Sequence, residues 1–303
     1  MTSRTHVASE WTRRPERGSP AVVRFMAGLS LAIGRGPSRL FLRCITLYFF
    51  ATGGAARRNV RAFLERALAR KPTFAEQFRV FFTFAATIHD RVYFLRERFD
   101  LFQIETRGDD LFGPGGTLMM GGHLGSFEVL RACGRQIGHR RVVMAMYGEQ
   151  AQRLNAVLGE ISPEARRDIV PLGRPQSMLD LAARLDEGAV VGILADRTPG
   201  DEPMVRIPFL GKDADFPTGP MRIAAALRRP VFFMAGLYRG GNRYEIRFEQ
   251  LADFAGADTM NRAERDAAIR EGVVSYARTL ERYAREAPDN WFNFHDFWAT
   301  TPA

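Results

Sequence analysis

An α/β layered fold, a sandwich with a central mostly parallel or mixed sheet flanked by helices, is predicted by three features of this sequence. From residue 101 onward, short apolar runs of strand length alternate with stretches of helical periodicity. The 303 residues are 46% hydrophobic and 25% charged, globular proportions that can bury one large core. No internal repeat and no low-complexity linker divides the chain.

The elements follow in order. Arg4, Arg13, Arg14 and Arg17 open the chain, but no clean apolar region with a small-residue cleavage site follows, so no export signal is read. Between residues 21 and 50, apolar blocks are broken by Arg24, Arg35, Arg39 and Arg43, which leaves no 18-residue run suited to spanning a bilayer. The expectation is an N-terminal amphipathic membrane-associating region over 1–55, its arginines on lipid phosphates, ahead of one large domain over 56–303. A helix packed on the domain core is the alternative. Ala55 to Ala69 reads as a helix with Val60, Phe63, Leu64 and Leu68 on one face. A second helix starts at Pro72, where Phe74, Phe78, Phe81, Phe82, Ala85, Ile88, Val92 and Leu95 form a stripe that is either core or the wall of an apolar channel.

Strands are expected at Leu101 to Thr106, Thr117 to Met120, Arg141 to Met146, Asp168 to Leu172 and Ala189 to Ala195, then at Val205 to Leu210, Val231 to Tyr238 and Tyr244 to Phe248. Helices are expected at Gln150 to Glu160, Gln176 to Glu187 and Pro217 to Leu227, with a long closing helix from Asn261 to Glu286 and an aromatic tail from Trp291 to Trp298.

Ligand sites of open α/β sheets gather at the carboxyl ends of strands, and three loops qualify. The first runs Gly121-Gly122-His123-Leu124-Gly125-Ser126-Phe127-Glu128, where glycines allow a sharp turn and room beside the imidazole. On one ideal helix, residues five apart lie about 140° away from each other, so His123 meets Glu128 only across a bend. A carboxylate on one ring nitrogen would fix the tautomer and leave the other nitrogen free to take a proton. With five histidines and 34 acids in the chain, such a spacing also arises by chance. His123 as a plain loop residue and Glu128 as a first-turn acid at the helix dipole form the other reading. The second loop, Ala195-Asp196-Arg197, is either a ligand site or a turn with a local ion pair. In the third, Thr218 at a helix start either holds a phosphate or carbonyl oxygen or, with Asp215, caps the helix.

Arginine supplies nearly all of the 43 basic residues, and the net charge of +9 suits anionic partners such as a phospholipid face, an acidic carrier protein or phosphorylated substrates. Nucleic acid is not expected, because no basic stripe with interleaved aromatics occurs. Cys44 and Cys133 lie far apart in apolar stretches and read as buried thiols of a reducing compartment. No metal-ligand spacing exists, so neither a metal nor another bound cofactor is expected.

The loops and their order resemble the bacterial lipid A late acyltransferases, the lauroyl/myristoyl transferase group of the lysophospholipid acyltransferase superfamily. The resemblance rests on Gly122-His123-Leu124-Gly125-Ser126-Phe127-Glu128, Ala195-Asp196-Arg197, Ile207-Pro208-Phe209-Leu210-Gly211, Thr218-Gly219 and the closing Asn290-Trp291-Phe292-Asn293-Phe294-His295. It spans nearly the whole chain. It implies an acyltransferase at the cytoplasmic face of the cell inner membrane, using acyl carrier protein or acyl-CoA as donor and a lipid A precursor, related glycolipid or other amphiphile as acceptor. His123 with Glu128 would be the catalytic general-base pair, and Gly122, Asp196, Arg197 and Thr218 would bind substrate. Backbone N–H groups of the glycine turn or helix start would stabilise the oxyanion. Two departures stand out: Tyr147-Gly148-Glu149-Gln150 where the family has an arginine, and Arg197 in place of the family's common glutamine. An α/β hydrolase acting on lipids would need a Gly-x-Ser-x-Gly elbow, which Ser126 lacks. A non-catalytic lipid-binding protein would need no histidine–acid pair.

Overall fold

The computed structural model describes residues 20–113, 115–130, 134, 140–147, 168–197 and 202–299. The expected helix at 150–160, and Cys133, lie outside these. Four helices lead: α1 (Pro20–Ile33), α2 (Arg35–Thr52), α3 (Gly54–Leu68) and α4 (Phe74–Leu95). A capping box starts α4, where the Thr73 hydroxyl accepts from the Glu76 N–H and the Glu76 carboxylate accepts from the Thr73 N–H at 2.7 Å. Its stripe is mostly interior: Phe81, Val92 and Leu95 are buried, whereas Phe74 and Ile88 face outward.

Helix α2 turns Ser38, Leu42, Thr46 and Phe50, spaced by four, inward. Phe50 meets Phe78 and Phe81 of α4 edge-on, with centroids 5.6 and 5.2 Å apart. The opposite face carries Leu40, Phe41, Leu47 and Tyr48, with Leu40 and Tyr48 each 64% exposed. The outward face is thus the more apolar one. Cys44 is a free thiol on the exposed side, not a buried one as its apolar neighbours suggested. Nor do all the arginines of this region turn to the surroundings. Arg35 donates to both Asp90 oxygens at 2.8 and 2.9 Å, and Arg39 reaches Asp90 at 3.4 Å, so both are committed to α4. No described helix is long and apolar enough to cross a membrane.

The sheet strands are β1 (Gln103–Arg107), β2 (Thr117–Gly121), β3 (Val142–Tyr147), β4 (Ile169–Leu172), β5 (Val190–Leu194), β8 (Pro230–Tyr238) and β9 (Arg243–Asp253), in the order β1-β9-β8-β2-β5-β3-β4. β8, β2, β5, β3 and β4 run parallel, β9 returns antiparallel to β8, and β1 runs parallel to β9. Every residue of β2 is buried, as a central parallel strand requires. Helix α5 (Pro175–Asp186) connects β4 to β5, and α6 (Gly219–Leu227) precedes β8.

Strands β6 (Met204–Phe209) and β7 (Lys212–Pro217) form a separate hairpin. Its two-residue turn, Leu210-Gly211, has positive φ at both positions, matching the twist of the strands. The sequence reading missed β7 because Lys212-Asp213-Ala214-Asp215 is polar where the hairpin meets solvent. The long helix α7 (Arg262–Glu286) opens with a capping box between Asn261 and Glu264. It packs on the sheet through Tyr276, Leu280 and Tyr283, the last stacked on Phe233 at 5.4 Å. The tail after it is inserted in the core: Trp291 is fully buried against Phe63 and Phe209, with centroids 4.7 and 5.3 Å apart.

Candidate active site

Two strand ends lie side by side. β2 pairs with β5 so that Gly121 is opposite Leu194, and this register brings the loops after them, His123 and Asp196, into contact. The Ala195 N–H donates to the Gly121 carbonyl at 2.9 Å and extends the pairing by one step. His123 Nδ1 is 2.8 Å from Asp196 Oδ1, and the His123 backbone N–H donates to Asp196 Oδ2 at 3.0 Å. Trp291 Nε1 donates to the same oxygen at 3.4 Å. Asp196 is therefore held on three sides, with its side chain fully withdrawn from solvent, while 32% of the His123 side chain stays accessible.

Burial opposes the charge on Asp196, but the nearby charges of His123 and Arg197 and the hydrogen bonds from His123 outweigh it. The carboxyl is held far below the usual carboxylate range. Burial also pushes the His123 imidazole down, the Arg197 cation adds to this, and Asp196 opposes it only in part. At neutral pH the arrangement is an ionised acid, a neutral imidazole and a guanidinium. With Asp196 accepting at Nδ1, the ring proton sits there and Nε2 keeps its lone pair.

The expectation that Glu128 orients His123 is corrected here, since the acid on Nδ1 is Asp196. Glu128, buried one turn further on, is engaged by Arg91 of α4 at 2.6 Å. Gly125, at φ +69°, presses the loop onto Gly236, where any Cβ would strike the Gly236 carbonyl. Gly122 belongs to the packing of the same corner: a Cβ there would meet Leu280 and the Tyr276 hydroxyl, at 3.1 and 3.3 Å. The Tyr276 hydroxyl donates to the Gly121 carbonyl at 2.9 Å.

The glycine turn also uses its own donors. Besides the His123 N–H, the Gly125 N–H donates to the Asn290 carbonyl and the Ser126 N–H to the Gly236 carbonyl, both at 2.7 Å. Three backbone donors of this turn are thus committed inside the fold. The Phe292 N–H in turn donates to the His123 carbonyl at 2.7 Å, which straps the tail across the loop.

Thr218 starts α6 but does not cap it. Its hydroxyl and its N–H both donate to the Pro203 carbonyl at 3.0 Å, and Asp215 pairs with Arg206. The Glu202 carboxylate lies over Gly219, at the helix start where a bound oxygen was expected.

Beside His123 is a narrow apolar pocket of about 20 Å³, lined by β3 and β5. Phe127, Met144, Met146, Leu172 and Ile193 are among its walls, and His123 and Arg197 are its polar groups together with Tyr147. A Cβ on Gly192 would overlap the Phe127 ring, so the glycine leaves room for that ring against β5. Of the residues singled out in the sequence, His123, Gly122, Asp196 and Arg197 come together, while Glu128 and Thr218 stand apart. Arg91 and Trp291 were not foreseen. Arg91 is one arginine among many, and the Trp291 contact depends on the tail's path.

The family model of the bacterial lipid A biosynthesis acyltransferases matches residues 62–300. No curated protein matches the chain. Among solved structures, the crystal structure of the 1-acyl-sn-glycerophosphate (LPA) acyltransferase PlsC from Thermotoga maritima is similar, at 16% identity and a TM-score of 0.37, covering 81% of this chain and 97% of that one.

Proposed function

Because the chain belongs to the bacterial lipid A biosynthesis acyltransferase family, we propose that it moves a fatty acyl group from acyl carrier protein or acyl-CoA to a hydroxyl or amine of a lipid A precursor or related amphiphile. The observation that carries this reading is His123, oriented by Asp196 through Nδ1, at the edge of an apolar pocket. The acyl chain lies along the apolar lining at the mouth of that pocket, with its thioester carbonyl at the imidazole. His123 Nε2 removes the acceptor's proton as the acceptor attacks the carbonyl carbon, and the C=O pair moves onto oxygen. When the tetrahedral intermediate collapses, the carbon–sulfur bond breaks and the leaving thiolate takes the proton back from His123. The nucleophile comes from the substrate, and no acyl-enzyme forms.

Glu128 has a positioning role in this mechanism, since its ion pair with Arg91 ties the catalytic loop to α4. The apolar outer face of α2 is suited to a membrane interface, which supports work at a lipid surface.

The test is mass spectrometry of lipid extracts incubated with acyl-CoA or acyl carrier protein thioester and the purified protein. A lipid gaining one acyl group is expected with the wild type and is lost, by several orders of magnitude in rate, with folded His123→Ala. Glu128→Ala and Arg91→Ala are expected to lose comparable activity, and the double variant no more than either alone. Normal turnover by folded His123→Ala would refute the reading. A severe Glu128→Ala defect beside a harmless Arg91→Ala would show that Glu128 acts through a partner other than Arg91.

A further inference from the structure

Arg197 has no part in the proton transfer, yet it lines the same pocket as His123. The side chain is 15% accessible and is fixed from three directions. Nη2 donates to the Phe292 carbonyl at 3.4 Å and lies 3.7 Å from Asp196, and Nη1 lies 3.4 Å from His295 Nδ1. These contacts are long for charge-assisted hydrogen bonds, which run to about 2.7–2.9 Å. Nε is buried with no hydrogen-bond partner among the described residues. A guanidinium has five N–H donors, and leaving one buried and unmet destabilises a fold unless something else uses the charge. Meanwhile the backbone donors of His123, Gly125 and Ser126 are all consumed by the protein.

We propose that Arg197 is a catalytic residue: its guanidinium stabilises the oxyanion formed when the acceptor attacks the thioester carbonyl. This role rests on the acyl transfer proposed above. The attack converts the carbonyl π pair into a full negative charge on oxygen, beside a cation already fixed in a largely water-excluded site. Collapse restores the carbonyl, expels the thiolate and leaves Arg197 unchanged. Asp196 keeps the two functions separate. It bonds the imidazole through one oxygen, while the other faces Arg197 at a distance that leaves the guanidinium donors largely unspent.

Dodecylphosphonate, a tetrahedral anion on an acyl-length chain, tests this without a known acceptor, with dodecanol as the uncharged control. By calorimetry, the wild type is expected to bind the phosphonate at least tenfold more tightly than the alcohol. Arg197→Gln should erase that difference while still binding dodecanol, and Arg197→Lys, which keeps the charge, should retain part of it. In acyl transfer, Arg197→Gln should lower kcat by about 10²–10³-fold with KM nearly unchanged. A phosphonate preference that survives Arg197→Gln overturns the proposal, as does an unchanged kcat. An effect confined to KM overturns it too, and would make Arg197 a substrate anchor. If the wild type binds dodecanol but gains nothing from the phosphonate, this inference alone fails. If it binds neither, the acyl pocket fails with it.

Discussion

His123 combines two properties that seldom coexist, a partly buried, desolvated setting and a carboxylate partner. An imidazole bonded to an ionised acid ordinarily titrates above its free value, because the acid favours the imidazolium. Here burial is the larger influence, and the Arg197 cation works with it, so the ring's pKa moves down. A base that stays neutral below the usual histidine value of about 6.5 remains active in mild acid. The acidic limb of kcat/KM is therefore expected to have its midpoint below pH 6.5. Removing the cation with Arg197→Gln should move that limb to higher pH, and removing the carboxylate with Asp196→Asn should move it lower while cutting kcat by about 10⁴-fold. Stability has the same sign. An imidazole whose folded pKa lies below its unfolded value binds fewer protons folded than unfolded, so this group's contribution is lost as pH falls through that window. A pH–rate profile of the three proteins checks the first claims and denaturant unfolding across the window checks the last.

At the scale of an element, α2 inverts the usual rule for a surface helix. Its inward face mixes Ser38 and Thr46 with Leu42 and Phe50, while Leu40, Phe41, Leu47 and Tyr48 look outward. Leu40 and Leu47 are seven residues apart, two turns, and so lie on one stripe. Such a stripe favours a lipid interface by roughly 25 cal/mol per Å² of apolar surface withdrawn from water. Leu40→Glu with Leu47→Glu is expected to reduce sedimentation with anionic lipid vesicles at least tenfold and leave the melting temperature within a few degrees, because neither side chain contributes to the core. Unchanged sedimentation of the double variant would exclude this face as the membrane contact.

At the scale of the molecule, the leading helices are tied to the sheet by one buried carboxylate. Asp90 of α4 receives Arg35 from α2 and, at 2.8 Å, the hydroxyl of Tyr244 on β9, so three elements meet on a fully buried acid. Burial raises its pKa, but the hydrogen bonds and charges from His89, Arg35 and Arg39 prevail and the carboxyl is held below its ordinary value. The stabilisation is thus present above the unfolded pKa, about 3.9, and is lost as pH falls through the folded one. Asp90→Asn should cost about 3–5 kcal/mol near neutrality, since it leaves buried arginine charge without its counterion. The gap to the wild type should narrow below about pH 4, and urea unfolding at several pH values measures both.

Read alone, the sequence determined the alternating elements, because strand-length apolar runs and helical periodicity are local properties of the chain. It also marked the His123 and Asp196 loops, since glycines and chemically active side chains cluster there at strand ends, but the Thr218 loop it marked as well stands apart from them. Strand β7 escaped because its polar residues report a hairpin's wet face and not a sheet interior. The identity of the acid on His123 was beyond sequence, because Glu128 is near in the chain while Asp196 is near only through the β2–β5 register. Cys44, Arg35 and Arg39 show the same limit, since composition tells that a helix is amphipathic but not which of its faces meets protein. The tail's strap over His123 and the commitment of the loop's N–H groups are likewise products of packing. Local periodicity is written residue by residue. Partnership between residues 73 positions apart exists only once the sheet has set its order.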